Sequence, residues 1–353
     1  MAPQHSTVAR LKDVAGVAGV SSATASLILN GKTDSFPGGT IERVRSTASE
    51  LGYRPNAIAR SLTRQRTHTI GLISDTIATT PFAGATIRGA QEAAWAAGHV
   101  LMLIDTEGDA AVERAGIDAM HDRRVDGLLY ARMHHEIVEV PEQLGHVPTV
   151  LLDARATTAD FASVVPDEIG AARSAVSHLI SAGHRRIGLV QTFDPVVAAD
   201  ERLAGYRHEL EANGISFDPT LVVRNELDGV ASPALVEFLS GPDRPSAVFC
   251  FNDLMAFVVY NTAQRLGLSI PGDLSVVGFD NQETVAKWLD PGLTTLQLPH
   301  YEMGRWAVEH LERLIQGEDV SPEQHRMPCP LVERQSVGPP KNEFNEVNQS
   351  NNE

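Results

Sequence analysis

Three side chains that can hydrogen-bond a small molecule lie at or near the ends of predicted strands. Asn252 and Asp280 each follow a short apolar run, and Arg202 lies on the helix that follows another. A carboxylate can accept two hydroxyl protons, while a guanidinium and an amide can hold neighbouring oxygens. Phe82, beyond a further apolar run, can add an apolar or stacking wall. This set suits a polyhydroxylated ligand, and a sugar is the leading class.

Each of these residues also has an ordinary structural interpretation. Phe82 can belong to the core, Arg202 to a surface ion pair, Asn252 to a helix N-cap and Asp280 to a loop cap. We assign Asp253 to capping as well.

Two further residues, one polar and one aromatic, are weaker ligand candidates. Asp167 and Trp288 stay open, whereas His184, in the run AGHRRIG, is expected to be a structural hydrogen-bonder.

Parallel strands must position the ligand-binding side chains. From Thr69 onward, short apolar runs alternate with helical stretches, and the same alternation resumes at Arg185. The pattern predicts two α/β lobes with parallel sheets, and a ligand cleft at the carboxyl ends of the strands. A predicted strand at LTTLQL, a helix from about Tyr301 to Ile315 and the run CPLVERQS can cross between the lobes.

The N-terminal segment is predicted to be a small helical unit. Leu11 to Ala18 can form one helix, Gly19-Val20 a tight turn, and Ser21 the N-cap of a helix running to Leu29. This is a helix-turn-helix, in which the second helix reads base edges in the major groove. The residues predicted to face the bases are Ser22, Ala23, Thr24 and Leu27, and those predicted to pack are Val14, Ala15, Val20, Ala25 and Leu29.

The charge distribution supports this division. The chain carries a formal net charge of -16, which by itself opposes nucleic-acid binding. Up to His68, however, nine basic residues face four acidic ones, so this segment carries +5 and the remainder -21. A basic head on an acidic body is typical of a DNA-contacting unit joined to a sensing domain, although a solvated basic helix face would look similar.

The sequence lacks the motifs that are typical of other protein classes. We find no G-x-G-x-x-G, Walker A loop, G-x-S-x-G or metal-ligand spacing, so no enzyme, cofactor or metal is expected. The first residues lack an apolar signal region and no apolar run is long enough to span a membrane, so we expect a cytoplasmic protein. Cys250 and Cys329 lie in apolar runs and are expected to be buried free thiols.

The motifs, taken together, resemble those of the lactose-repressor (LacI/GalR) family. LKDVAGVAGVSSATASLILN resembles the pattern KDVAxxAGVSxxTVSRVLN, and LGYRPNAIARSL resembles the hinge pattern LGYxPNxxARSL. The family order continues along the whole chain with RTHTIGL, RRVDGLL, GHRRIGLV, FNDLMA, PGDLSVVGFD, LTTLQLP and LVERQS. The resemblance implies a helix-turn-helix headpiece, a hinge helix and a core like the periplasmic sugar-binding proteins, acting as a homodimer on operator DNA.

The resemblance also implies roles for individual residues. Family hinge helices enter the minor groove as a pair and wedge a leucine into a base step, and Leu62 matches that leucine; the alternative is that it packs against its dimer mate. Arg202, Asn252 and Asp280 match family positions that hold the effector. The complete predicted DNA-contacting set is Ser21, Ser22, Ala23, Thr24, Ser26, Leu27, Asn30, Tyr53, Asn56, Ala59 and Leu62.

The sequence departs from the family pattern in three places. Leu27 replaces a common arginine and cannot make the bidentate contact to guanine. The loop after Asn30, GKTDSFPGG, is about one residue longer than usual. Val196 stands six residues before Arg202, where the purine-responsive branch has an arginine, which weakens a purine ligand; nucleosides and phosphorylated sugars stay open.

These observations predict a domain organisation. The headpiece is expected at residues 8–54, the hinge at 55–67, the core at 68–338 and a disordered tail at 339–353. Within the core, lobe 1 is expected at about 68–163 and 294–322, and lobe 2 at about 164–293 and 323–338. The predicted function is an effector-controlled repressor; the alternatives are a core that senses a protein partner or a non-sugar metabolite.

Overall fold

A computed structural model describes residues 9–53, 66–76, 83–158 and 160–341 of the chain. The chain divides into two compact units, residues 1–68 and residues 69–353. In the first unit the described helices are α1 (Leu11–Ala18), α2 (Ser22–Leu29) and α3 (Gly38–Glu50).

The first unit is the predicted helix-turn-helix followed by a third helix. Gly19 ends α1 in the left-handed region at φ 67°, which glycine adopts without strain. Ser21 caps α2, its Oγ accepting a hydrogen bond of 3.0 Å from the Thr24 amide. A small core holds the three helices together, with Val14, Ala15, Ala18, Ala25, Ile28, Val44 and Ala48 buried in it.

The second unit contains two six-stranded sheets, which define the two lobes. The lobe 1 sheet has the strand order β11-β5-β4-β3-β1-β2. Its strands are β1 (Thr69–Ser74), β2 (Val100–Asp105), β3 (Gly127–Val138), β4 (Thr149–Ala156), β5 (Ala162–Pro166) and β11 (Gln324–Met327). Helices α4 (Ala83–Ala96) and α11 (His300–Ile315) pack with one set of buried strand side chains, and α5 (Ala110–Asp122) with another.

The lobe 2 sheet has the strand order β12-β10-β9-β8-β6-β7. Its strands are β6 (Ile187–Thr192), β7 (Val222–Asn225), β8 (Ala247–Cys250), β9 (Ser275–Asp280), β10 (Thr294–Gln297) and β12 (Leu331–Val332). Two buried clusters pack on it, one with α6 (Glu168–Ser181) and α7 (Val197–Ala212), the other with α8 (Pro233–Ser240) and α9 (Asp253–Arg265). The short helix α10 (Glu283–Ala286) follows β9.

The chain crosses between the lobes at positions that differ from the prediction. Residues 294–297 were expected in lobe 1, but β10 pairs in parallel with β9 of lobe 2. Residues 324–327 were expected in lobe 2, but β11 pairs in parallel with β5 of lobe 1, and β5 itself runs to Pro166, past the expected boundary at 163. A short strand pattern does not show which of the two sheets the strand joins, because that depends on non-local pairing.

Two smaller expectations can be compared with the structure. Cys250 and Cys329 are both buried and free, as predicted. Within the described ranges, no helix is long and apolar enough to cross a membrane.

Candidate functional site

The first candidate site is the outward face of α2. Ser22 and Ala23 are exposed there, Leu27 is 40% exposed, and Ala25 and Ile28 on the opposite face are buried. The side chain of Ser21 is engaged by Thr24, whose Oγ1 lies 2.9 Å from the Ser21 Oγ. The face that the sequence predicts to read DNA is therefore solvent-accessible at its N-terminal turn.

Other predicted DNA contacts are partly buried or lie outside the described residues. Asn30 donates from Nδ2 to the carbonyl of Ser26 at 2.8 Å, and its buried Oδ1 has no hydrogen-bond partner among the described residues. Tyr53 packs against the small headpiece core. Asn56, Ala59 and Leu62, like Phe82 of the predicted effector set, lie outside the described residues.

The second candidate site is a cavity of ≈ 290 Å³ between the two lobes. Arg202, Asn252 and Asp280 all line it, together with the unpredicted Asp153 and Glu168. Asp280 and His300 also border a larger groove of ≈ 500 Å³ next to it. The structure thus brings three of the four predicted effector residues together, whereas Asp167 caps α6 and Trp288 is 81% exposed.

Arg202 is held in a buried ion pair and not in a surface one. Its Nε donates to Glu168 at 2.7 Å and its Nη2 donates to the other carboxylate oxygen at 3.3 Å. Its Nη1 donates to the carbonyl of Phe251, and the guanidinium carbon lies 3.6 Å from the ring centre of Phe279. The arginine side chain is therefore oriented before any ligand arrives, and its charge is balanced by Glu168.

Asn252 both caps a helix and lines the cavity. Its Oδ1 accepts a hydrogen bond of 2.9 Å from the Met255 amide, which makes it the N-cap of α9. Asp253, assigned to capping from the sequence, does not cap its own helix. It accepts instead from the Gln282 amide and from Thr295 Oγ1, both at 2.6 Å, because it is buried at the point where α9 meets the loop after β9.

Asp280 ends β9 in an unusual backbone conformation, at φ 101°. Gln282 Nε2 donates to its Oδ2 at 3.3 Å. Burial raises the pKa of the Asp280 carboxyl to about 7, against the opposing positive charge of Arg202. This carboxyl is consequently near the midpoint of its titration at neutral pH.

Asp153 and Glu168 were missed by the sequence analysis. Asp153 lies on β4 and is 6% exposed, and its Oδ1 has no hydrogen-bond partner among the described residues. Burial, followed by the nearby negative charge of Glu168, raises the pKa of the Asp153 carboxyl well above its ordinary value. Glu168 lies just beyond the carboxyl end of β5, the same signal that selected Asn252 and Asp280, whereas Asp153 lies within β4, where that signal does not apply.

Two of the histidines that line the cavity, His135 and His300, are uncharged at neutral pH. Burial lowers the pKa of both His135 and His300 to about 4. Arg155 Nε donates to His135 Nε2 at 2.8 Å, so the ring proton is on Nδ1. His184, by contrast, does not line this cavity and binds Ser246, Ser275 and the carbonyl of Gly338, which confirms its predicted structural role.

Comparisons with known proteins match both units. The family described as bacterial regulatory proteins, lacI family, matches residues 10–56, and the periplasmic binding protein-like domain matches residues 176–337. The chain is 34% identical over 339 residues to the HTH-type transcriptional repressor CytR of Escherichia coli strain K12, covering 95% of this chain and 98% of that protein.

Two solved structures extend the match to three dimensions. The complex of the transcriptional regulator CelR with cellobiose is 30% identical with a TM-score of 0.66, covering 93% of this chain and 99% of that one. The lac repressor dimer bound to operator and the anti-inducer ONPF is 25% identical with a TM-score of 0.78, covering 94% of this chain and 100% of that one.

Proposed function

Since the chain belongs to the LacI family of bacterial regulatory proteins, we propose that it represses transcription from a palindromic operator, as a dimer controlled by a small effector. It is a DNA-binding transcriptional repressor, and its relatives are repressors rather than enzymes. The observation that carries the finer proposal is the combination in one chain of an accessible helix-turn-helix and a cavity between two lobes that is lined by Arg202, Asn252 and Asp280.

In this proposal α2 lies in the major groove. Ser22, Ala23, Thr24 and Leu27 face the bases, and Ser21, Ser26, Asn30 and Tyr53 support or extend the contact. The hinge at 55–67 follows the headpiece at 8–54 and enters the minor groove through Asn56, Ala59 and Leu62. We place the protein in the cytoplasm, where a bacterial repressor meets its operator.

We assign dimerisation to the core, residues 68–338. Large apolar side chains are exposed on lobe 2, where Leu254 and Phe257 lie on α9 and Trp288 follows α10. Exposed apolar residues of this size favour burial against a partner. Dimerisation would place two headpieces on two half-sites, which is why we expect an inverted repeat.

The effector is proposed to be a polyhydroxylated compound of the sugar class, bound in the cavity by Arg202, Asn252 and Asp280, with Phe82 as a wall. The relative CelR was solved with cellobiose, which supports a sugar. Binding between the lobes would change the angle between them and thereby the spacing of the hinges. Couplings of about 1 to 3 kcal/mol would change operator affinity roughly 5-fold to 150-fold.

Selection of binding sites from random duplex DNA, using the full chain, tests the DNA-binding part. We expect an inverted repeat whose affinity falls steeply with salt, because Lys and Arg contacts to phosphate release counterions. Leu62→Ala should weaken specific binding more than non-specific binding, whereas Val17→Ala, an exposed position on α1, should change neither. Recovery of no consensus, with binding only at low salt, would contradict the proposal.

A further inference from the structure

The cavity between the lobes is rich in carboxylates. Four of its lining residues are acidic, namely Asp153, Glu168, Asp194 and Asp280, whereas Arg202 is the one Arg or Lys among the described residues that line it. His135 and His300 add no positive charge at neutral pH, as their lowered pKa values show. The third lining histidine, His134, is half exposed and lies 3.0 Å from the carboxylate of Glu136.

The guanidinium of Arg202 already forms an ion pair with a carboxylate of the protein. Glu168 binds Arg202 through both carboxylate oxygens, and both side chains are at most 4% exposed. A buried pair of this kind is electrically neutral, so little positive charge is left for a ligand. An anionic ligand, such as a phosphorylated sugar, would therefore lie next to the remaining carboxyl groups, with little positive charge to balance its own.

Among the described residues that line the cavity, His135 Nδ1 and one oxygen of Asp153 are buried without a hydrogen-bond partner. The Oδ1 of Asp153 is buried and accepts no hydrogen bond from any described residue, although the side chain lines the cavity. A buried carboxyl without a partner lowers stability unless it is protonated or a ligand supplies a donor. Burial and the nearby charge of Glu168 raise the pKa of the Asp153 carboxyl, which favours its protonated form.

A hydroxyl group and an ammonium group would satisfy Asp153 differently. A hydroxyl can hydrogen-bond to the protonated acid, but it brings no charge to offset ionisation. An ammonium group supplies both the donor and the positive charge, so it stabilises the carboxylate that burial otherwise disfavours. The acidic surroundings of Asp153, among them Glu168, strengthen the same preference.

We propose that the effector of this protein is an amino-bearing polyhydroxylated compound whose ammonium group binds Asp153. This inference rests on the proposed effector role of the cavity and narrows the ligand class. Arg202, Asn252 and Asp280 bind the hydroxyl oxygens of the same ligand. Phosphorylated sugars and sugar acids are disfavoured, because the only guanidinium among the described lining residues is already paired with Glu168.

Calorimetric titration of the full chain with matched sugars tests the proposal. The probes are glucosamine and galactosamine, the corresponding neutral hexoses, their N-acetylated amines and their 6-phosphates, all at pH 7. We expect at least one amine to bind roughly 30-fold or more tightly than its N-acetylated form, since acetylation removes a charge at a buried pair. The 6-phosphates should not bind.

Two isosteric variants test which residue causes the preference for the amine. Asp153→Asn should remove the preference for the amine while retaining its residual binding, because asparagine keeps the shape and tolerates the backbone φ of 53°. Asp118→Asn, at an exposed position on α5 outside the cavity, should leave the preference intact.

Several outcomes would overturn the inference. These are equal binding of an amine and its neutral counterpart, tighter binding of a 6-phosphate, an unchanged preference in Asp153→Asn, or no binding by any probe at millimolar concentration. The broader function fails separately, namely when a bound sugar of any charge leaves operator affinity unchanged.

Discussion

The raised pKa of Asp280, a single residue of the cleft, makes the stability of the folded protein depend on pH. Burial raises its pKa to about 7, above the ordinary value of 3.8 that applies to the unfolded chain. The folded state therefore retains a proton that the unfolded chain has lost, so this group's contribution to stability is lost as pH rises from about 4 to about 7. Ionisation of Asp280 is thus destabilising in the folded protein.

Asp280→Asn should consequently stabilise the ligand-free protein more at pH 8 than at pH 5. Asparagine retains the shape and the left-handed backbone of φ 101° but never ionises. We expect the melting temperature to rise by a few °C at pH 8, since about 1 kcal/mol corresponds to roughly 2–4 °C in domains of this size class. Thermal unfolding at the two pH values measures the difference.

Asp273 offers a control of opposite sign. Lys341 and Ser269 donate to its carboxylate and hold its pKa well below the ordinary value. Asp273→Asn should therefore lower the melting temperature at pH 8 and have less effect as the pH falls through the acidic range. If Asp280→Asn shifted the melting temperature equally at both pH values, ionisation of Asp280 would not be the cause.

At the scale of elements, the packing of α4 against α11 depends on two glycines. A Cβ at Gly89 would overlap the carbonyl of Tyr301, and a Cβ at Gly304 would overlap the carbonyl of Thr86. The two helix backbones therefore approach each other directly, and no flexible side chain is available to yield. This contact holds α11, which follows the crossover from β10, on the lobe 1 sheet.

Gly89→Ala should lower the free energy of unfolding of the core by roughly 2–3 kcal/mol, the size typical of an overpacked site. Gly84→Ala, on the same helix but at a position where an added Cβ meets no described residue within 4 Å, should instead be neutral or stabilising by up to about 1 kcal/mol, because alanine favours the helix. Urea unfolding followed by tryptophan fluorescence compares the two. Equal stability of the two variants would show that the helices separate easily.

At the scale of the whole core, Glu201 of lobe 2 connects the lobes. Its carboxylate accepts from Arg326 of β11 at 2.9 and 3.0 Å, and from Arg155 of β4 at 3.3 Å. Burial opposes ionisation of this group, but hydrogen bonding by Arg326 holds the pKa of Glu201 below its ordinary value. Glu201 directly precedes Arg202, so a ligand that moves Arg202 also acts on the contact between the lobes.

Glu201→Gln should weaken this connection and broaden the range of angles between the lobes. Spin labels at Val112→Cys and Val236→Cys, exposed positions on helices of lobe 1 and lobe 2, report the distance between them by pulsed electron resonance. The native cysteines, Cys250 and Cys329, are buried and should react little. We expect a population at longer distance in the variant.

Glu211→Gln is the matched control for this measurement. Glu211 lies on the same helix and pairs with Arg207 on the exposed surface, within one lobe, at 2.8 Å. The distance distribution should match that of the unsubstituted chain. If both variants or neither gave a longer distance, the contacts of Glu201 would not control the angle between the lobes.

The amino-acid sequence by itself determined the elements whose causes are local. The bounds of α1 and α2 match the prediction, because a left-handed glycine and a serine cap act within a few residues. The helix expected from about Tyr301 to Ile315 begins at His300. Apolar periodicity likewise predicts the alternation of strands and helices. Selecting polar residues at the ends of strands identified Asn252 and Asp280, which line the same cavity.

Only the tertiary structure decided which charges lie together and which sheet each late strand completes. Glu168 and Arg202 are 34 residues apart in sequence, and Glu201 and Arg326 are 125 apart. A local sequence pattern predicts whether a residue is buried. It does not predict which other charged residue is buried next to it. The pairing of Arg202, the unpartnered carboxyl of Asp153 and the positions of β10 and β11 all depend on such long-range contacts.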